Sequence, residues 1–138
     1  MKEEKFAEME YTPNRKRTLL AQGTYNGLNY YVLSLGTHPC AYVECDKNHI
    51  VDDDHIYDID CHGGITYNEK ILILPDKRLE SIQFIGWDYA HCDDYAGYEV
   101  NFPEDIRVGG YKWTTDEIIT ECRNVIDQVV NFNLQEGN

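Results

Sequence analysis

Two short stretches of the chain contain the residue types that could do chemistry. The first is CHGGITY at residues 61–67, where a cysteine, a histidine and two glycines precede a threonine and a tyrosine. The second is FIGWDYAHCDDY at residues 84–95, where another histidine lies beside another cysteine among acidic and aromatic residues. We expect the two stretches to meet in space and to form one site.

Such a site would suit a small, anionic, nucleotide-like ligand. Two consecutive glycines free backbone N–H groups to point into a concavity that binds phosphate. Hydroxyl groups and imidazoles would donate hydrogen bonds, carboxylates would accept them from ribose or a base amine, and aromatic rings would stack on a base. The predicted ligand-binding residues are His62, Gly63, Gly64, Thr66, Tyr67, Trp87, Asp88, His91 and Asp94.

Neither motif contains a lysine or an arginine, so a cation for a phosphate group must come from elsewhere in the chain. Lys16, Arg17, Lys112 and Arg123 are the candidates.

The same residues would also allow catalysis. His62 and His91 could form a general acid–base pair, with an aspartate of the second stretch orienting one ring. Cys61 or Cys92 could be a nucleophile, activated by the histidine of the other stretch because neighbours on a strand point to opposite faces. Both histidines and two of the aspartates could instead hold a metal ion. The spacing supports no established catalytic or metal motif, so we predict binding without turnover and no cofactor.

Structural explanations compete with each of these roles. The two glycines could form a plain turn, and Trp87 could belong to the core. His62, His91 and Asp88 could form a structural polar network. Cys45 and Cys122 are predicted to be small core residues.

The composition limits the partners. The chain has 138 residues with a formal net charge of −13, so it repels nucleic acid and anionic membranes as a whole. An acidic protein of this size could instead compete with DNA for a basic partner. No apolar run is long enough to cross a membrane, and MKEEKFAEMEY lacks the apolar core of a signal peptide. We therefore expect a cytoplasmic protein, with five cysteines as reduced thiols.

The surrounding pattern predicts an α+β domain at residues 17–134 after a flexible leader at 1–16. Asn26-Gly27 between apolar runs predicts a hairpin with strands at 17–25 and 28–35, and HPCAYVECD predicts a third strand at 38–46. One or two short strands are expected at 64–74, a turn or linker at 75–81 and a buried strand at 82–90. The predicted sheet is therefore an antiparallel meander.

A long helix should pack on this sheet. Thr114 and Glu117 have the spacing of a capping box, and an apolar stripe follows. Its residues are Ile118, Ile119, Cys122, Val125, Ile126, Val129 and Val130.

The acidic stretch at 46–60 is predicted to be a surface loop. Asp52, Asp53 and Asp54 offer the hard oxygen ligands that calcium prefers, but the glycine and glutamate of the twelve-residue calcium loop are missing at their usual offsets. A solvated acidic loop is the favoured interpretation.

Together, these motifs resemble those of a widespread group of small proteins encoded by bacteriophages and prophages. In that group an H-G-G-L-T-Y-S stretch precedes W-F-G-F-D-C-A-H-A-G-D; here CHGGITY, FIGWDYAH-x-x-D and ECRNVIDQVV occur in the same order, and the similarity spans about residues 36–130. Asp93 replaces the usual glycine before the last aspartate, and Tyr89 stands where a cysteine is often found. The resemblance implies a viral accessory protein, of a kind often used against host defence.

Three functions therefore stay open: sequestration of a nucleotide-like signal, hydrolysis of such a molecule by His62 and His91, and inhibition of a basic defence protein by an acidic surface. Sequestration is preferred because glycine, threonine, tyrosine and aspartate are recognition groups more than reactive ones. Proteins of this kind are often oligomeric, so a homo-oligomer is also expected.

Overall fold

The computed structural model describes residues 17–35, 38–90, 111 and 113–136. The predicted leader at 1–16 lies outside these residues, as do His91, Cys92, Asp94, Lys16 and Lys112. Within the described residues, no helix combines the length and the apolar character needed to cross a membrane.

In the part of the chain that the structure describes, five antiparallel strands form one sheet and one C-terminal helix packs on it, so the predicted α+β fold is confirmed. The order across the sheet is β1-β2-β3-β5-β4. The elements are β1 (Thr18–Tyr25), β2 (Leu28–Ser34), β3 (Pro39–Cys45), β4 (Tyr67–Ile73), β5 (Arg78–Asp88) and α1 (Thr115–Glu136), with a 3₁₀ turn at Ile56–Asp58.

The first hairpin forms where the sequence predicts it. Asn26 and Gly27 have φ angles of 50° and 85°, and a two-residue turn with both angles positive matches the twist of the flanking strands. β1 pairs with β2 from Tyr25↔Leu28 at the turn to Thr18↔Ser34 at the far end.

The predicted turn or linker at 75–81 is present but shorter than expected, because β5 already begins at Arg78. The turn is confined to the residues between Ile73 and Arg78, where the N–H of Leu74 donates to the carbonyl of Lys77 at 2.8 Å. Leu79 then pairs with Leu72, so the polar PDKRLES stretch hides a strand whose partner is the preceding one.

Each face of the sheet has its own apolar cluster. The cluster on the helix-side face joins residues such as Val43, Ile85 and Trp87 to α1, whose Ile118, Cys122, Val125, Ile126 and Val129 are fully buried. Cys45 is equally buried, so the prediction that Cys45 and Cys122 are core residues is confirmed. The cluster on the far face contains Tyr31, Leu33, Cys40, Tyr42, Leu72, Leu74 and Phe84.

Gly86 makes room for an aromatic pair on the far face. Gly86 is the pairing partner of both Tyr42 and Tyr67. A Cβ at this position would lie 2.5 Å from the Tyr42 ring and 2.8 Å from the carbonyl oxygen of Ala41. The missing side chain lets the Tyr42 ring meet the Tyr67 ring edge-on, with centroids 5.1 Å apart.

The predicted capping box starts α1. The Thr114 hydroxyl oxygen accepts from the N–H of Glu117 at 3.1 Å, and the Glu117 carboxylate accepts from the N–H of Thr114 at 3.0 Å. Both bonds satisfy backbone donors that a helix N-terminus leaves without partners.

The acidic loop at 46–60 is exposed at its aspartates but anchored beneath them. Val51, Ile56 and Ile59 are buried in the helix-side cluster. Asp52, Asp53 and Asp54 are exposed, and Asp52 accepts from the backbone N–H of His55 at 3.0 Å. Within the described residues, no group of three His, Cys, Asp or Glu side chains could hold a metal ion.

Gln83 fastens this loop to the sheet. Its side-chain oxygen accepts from the N–H of Val51 at 2.9 Å, and its Nε2 donates to the carbonyl of Val51 at 2.8 Å and to Asn68 at 2.9 Å. The buried amide thus makes the pair of hydrogen bonds that a neighbouring strand would make.

Replacing Gln83 with leucine should lower the free energy of unfolding by about 2–4 kcal/mol, because two buried backbone groups of Val51 lose their partners. Urea unfolding followed by circular dichroism measures this loss. The matched control is Gln22→Leu on exposed β1, which should change stability by less than about 0.5 kcal/mol. Equal losses of unfolding free energy in the two variants would show that the hydrogen bonds between Gln83 and Val51 do not stabilise the fold.

Candidate functional site

The CHGGITY stretch turns at its glycines and then enters β4. Gly63 and Gly64 have φ angles of 71° and 80°, in the left-handed region that favours glycine. The N–H of Gly64 donates to the carbonyl of Cys61 at 3.0 Å, and the N–H of Thr66 donates to the carbonyl of Gly86 at 2.9 Å. The two predicted motifs therefore meet at the end of β5, where the paired glycines form a turn.

The alternation of β5 divides the predicted site residues between the two faces of the sheet. Trp87 belongs to the helix-side cluster, whereas Asp88 is the pairing partner of Cys40, which lies in the far-face cluster. The site residues that the structure describes thus form two groups of side chains at the same end of the sheet, one on each face.

On the helix-side face, Glu121 of α1 collects three hydrogen bonds from the motifs. Its carboxylate accepts from the Trp87 indole N–H at 3.0 Å, from the Tyr89 hydroxyl, and from the backbone N–H of His62 at 3.1 Å. The indole N–H also lies 2.9 Å from the Tyr89 oxygen. One carboxylate therefore ties the helix to the end of β5 and to the CHGGITY turn.

Aromatic rings complete this helix-side group. The His62 ring stacks on the Tyr89 ring, with centroids 4.8 Å apart and an interplanar angle of 8°. Trp113 meets the His62 ring edge-on at 5.0 Å. The imidazole is half-buried between these rings.

Trp87 must be removed from the predicted ligand-stacking residues. Only 1% of its surface is exposed, and its N–H is bonded within the protein, so the alternative prediction that it is a core residue is confirmed.

Among the described residues, the thiols near the motifs are Cys61 and Cys40, and burial is expected to lower their reactivity. Burial, with the charges of Glu121 and Asp60 nearby, raises the pKa of the Cys61 thiol to about 12. Burial also raises the pKa of Cys40 to about 12. Both groups are therefore protonated near neutral pH, which disfavours nucleophilic catalysis by Cys61.

On the far face, polar groups gather around Asp88. The Thr66 hydroxyl donates to one Asp88 oxygen at 3.2 Å, and the backbone N–H of Ala90 donates to the other, also at 3.2 Å. Thr66 is exposed and Asp88 is half-buried, so both are accessible to a small molecule.

Arg17 brings a cation to this far-face group. It immediately precedes β1, whose first residue, Thr18, pairs with Ser34 of β2. Ser34 pairs with Pro39 of β3, and the following residue of β3, Cys40, pairs with Asp88. Arg17 and Asp88 therefore lie at the same end of the sheet. Burial raises the pKa of Tyr42 and Tyr67, and the Arg17 guanidinium opposes both shifts. The cation that neither motif contains thus comes from the start of the first strand.

A hydrogen bond joins Thr66 to Asp88, and Arg17 interacts electrostatically with Tyr67 on the same face. His62 and Trp87 belong to the helix-side group instead. We define Arg17, Thr66, Tyr67 and Asp88 as the far-face site. The predicted contributions of His91 and Asp94 lie outside the described residues.

Glu121 is the functional position that motif analysis missed, but its spacing held a signal. It lies three residues after Ile118 and four before Val125, both fully buried, so it is placed at the border of the apolar stripe. A carboxylate at such a position needs donors from the opposing sheet.

Scans against protein-family models, curated proteins and solved structures found no match to this chain.

Replacing Glu121 with alanine should lower the free energy of unfolding by about 2–4 kcal/mol, because buried donors of Trp87, Tyr89 and His62 lose their acceptor. Glu121→Gln should cost less, since its amide oxygen still accepts a hydrogen bond. Thermal and urea unfolding would measure both losses. The control is Glu80→Ala, which removes an exposed carboxylate. An equally large loss of unfolding free energy in that variant would show that the hydrogen bonds of Glu121 do not stabilise the fold.

Cys61 should react slowly with iodoacetamide in the folded protein. A pKa raised from 9.0 to about 12 lowers the thiolate fraction at neutral pH by about a thousandfold. Mass spectrometry of the tryptic peptide containing Cys61 follows the alkylation, and the urea-unfolded chain supplies the reference rate. Alkylation at the same rate in both states would show that Cys61 is an active thiol.

Proposed function

We propose that the protein binds and sequesters a small, anionic, nucleotide-like signalling molecule without cleaving it. On this proposal it is a phage-encoded accessory protein that acts against host defence in the host-cell cytoplasm. The observation that carries the binding proposal is the electrostatic interaction of Arg17 with Tyr67, at the sheet end where Thr66 donates to Asp88. A cation, a hydroxyl donor and a carboxylate acceptor at one sheet end are the groups that a phosphate and a ribose require.

The chemistry of the site favours binding over turnover. Asp88 is engaged by Thr66 and by the N–H of Ala90, and these bonds fix its orientation as an acceptor. Cys61 is held in its protonated form, and His62 packs between Tyr89 and Trp113 on the other face. Hydrolysis would need a positioned base or nucleophile beside the ligand, and the far-face site offers recognition groups instead.

The biological part of the proposal depends on the resemblance to small phage proteins. A phage gains from removing a host alarm nucleotide, and a binding protein does so in proportion to its own concentration. A homo-oligomer, which would present several equivalent sites, stays a prediction that sedimentation velocity tests directly.

The test is a panel of cyclic nucleotides and ADP-ribose derivatives, incubated with the protein, separated from free ligand, and released by heating. We expect one class of ligand to be retained and recovered intact. A cleaved product would replace sequestration by hydrolysis, and retention of no member of the panel would contradict the proposal.

Site variants then locate the binding. Arg17→Gln and Asp88→Asn should each weaken binding of the retained ligand at least about tenfold, equivalent to about 1.4 kcal/mol, in isothermal titration calorimetry. Arg78→Gln, an exposed arginine at the other end of β5, is the matched control and should bind as the wild type does. Circular dichroism must show that all variants are folded. Unchanged affinity in both site variants would place the ligand elsewhere.

A further inference from the structure

A groove of about 690 Å³ lies between the acidic loop and β4, and Tyr67 of the far-face site also lines it. Ile50 of the loop forms one wall, Ile71 of β4 forms the other, and Ile82 lies between them on β5. Ile50 is 46% exposed and Ile82 is 45% exposed. Large aliphatic side chains this accessible, and gathered in one concavity, are typical of an interaction surface.

The walls of this groove are fixed in place. Gln83 bonds both backbone groups of Val51 in the loop and the Asn68 side chain in β4. One buried amide therefore sets the spacing between the two walls. A preformed groove loses less conformational entropy on binding than one that must first be ordered.

The rim of the groove is acidic. Asp52, Asp53 and Glu69 line it together with a single cation, Lys70. All four residues are exposed, so their charges are accessible to an incoming partner. The apolar floor and negative rim together are complementary to a segment that carries both aliphatic and basic side chains.

β4 offers backbone groups along the same groove. Among the described strands it is the last in the sheet order, and its pairing with β5 is irregular between Glu69 and Ile71. A strand at a sheet edge is a template for an extended peptide, whose side chains then alternate between floor and solvent.

We propose that this groove binds a short, extended, basic segment of a partner protein, in which aliphatic residues alternate with arginine or lysine. The aliphatic side chains would pack on Ile82 and Ile50, and the cations would face Asp53 and Glu69. A second copy of this chain is a poor occupant, because the chain has 25 acidic residues against 12 lysines and arginines. This inference is independent of the ligand proposed for the far-face site.

Three fluorescein-labelled octapeptides test the proposal by fluorescence polarisation: Arg-Leu-Arg-Leu-Arg-Val-Arg-Leu, the same peptide with glutamate for arginine, and the same peptide with serine for leucine and valine. The first should bind the wild-type protein at least about tenfold more tightly than either of the others. Its affinity should fall as salt rises from about 50 to about 300 mM, since the rim charges are exposed. If the serine peptide bound as tightly as the first peptide, net charge alone would explain the binding and the proposal would be overturned.

Matched variants locate the peptide. Ile82→Ser should weaken binding of the first peptide about tenfold, and Asp53→Asn about threefold at low salt. Ile73→Ser and Asp58→Asn remove an exposed isoleucine and an exposed aspartate that do not line the groove, and both should bind normally. Ile50→Ser provides a second groove variant if Ile82→Ser does not fold. Equal losses in groove and control variants, or no binding of the first peptide, would overturn the proposal.

Discussion

The end of β5 depends on one carboxylate. Glu121 extends from the apolar stripe of α1 toward the sheet, where an unsatisfied charge would be costly. Its donors are the Trp87 indole, the Tyr89 hydroxyl and the backbone N–H of His62, so one side chain joins the helix, the strand and the CHGGITY turn. Apolar packing alone is non-directional and would not fix the position of the helix along the sheet, whereas these directed hydrogen bonds do. The aromatic packing of His62 on Tyr89 follows from that fixed position.

The second constraint is the alternation of a β-strand, and it gives the two motifs their different roles. Trp87 and Asp88 are neighbours in sequence, but one is fixed to the helix-side core and the other pairs with Cys40 on the far face. His62 and Trp87, which the sequence suggested as ligand-binding residues, are thus largely engaged in packing. Thr66, Tyr67 and Asp88 lie near the far-face surface. Arg17 supplies the positive charge that the motifs themselves do not contain. A single sequence motif can therefore contribute side chains to both faces of a sheet.

Local patterns in the sequence were enough to predict most of the fold. The Asn26-Gly27 turn, the Thr114–Glu117 capping box and the helical stripe each involve residues within a few positions of one another. The interactions that position the site connect distant residues: Glu121 lies 59 positions from His62, and Gln83 lies 32 from Val51. Periodicity shows which face a residue occupies but not which residue it meets there. The start of β5 was missed for a related reason, because Arg78 and Glu80 look like a polar turn until Ile73 and Ile71 pair with them.

A net charge of −13 need not exclude an anionic ligand, because charge acts locally at physiological salt. The far-face site lies near Asp88, and the acidic groove lies near Gln83, five residues earlier on β5. At about 3.3 Å per residue these positions are about 17 Å apart, against a screening length of about 8 Å. Tyr67 lies between the two surfaces and is affected by both, because the charge of Arg17 lowers its pKa and the charge of Glu69 raises it. Exposed charges more than a screening length from Tyr67 contribute little there, so the balance between Arg17 and Glu69 sets the local potential where the two surfaces meet.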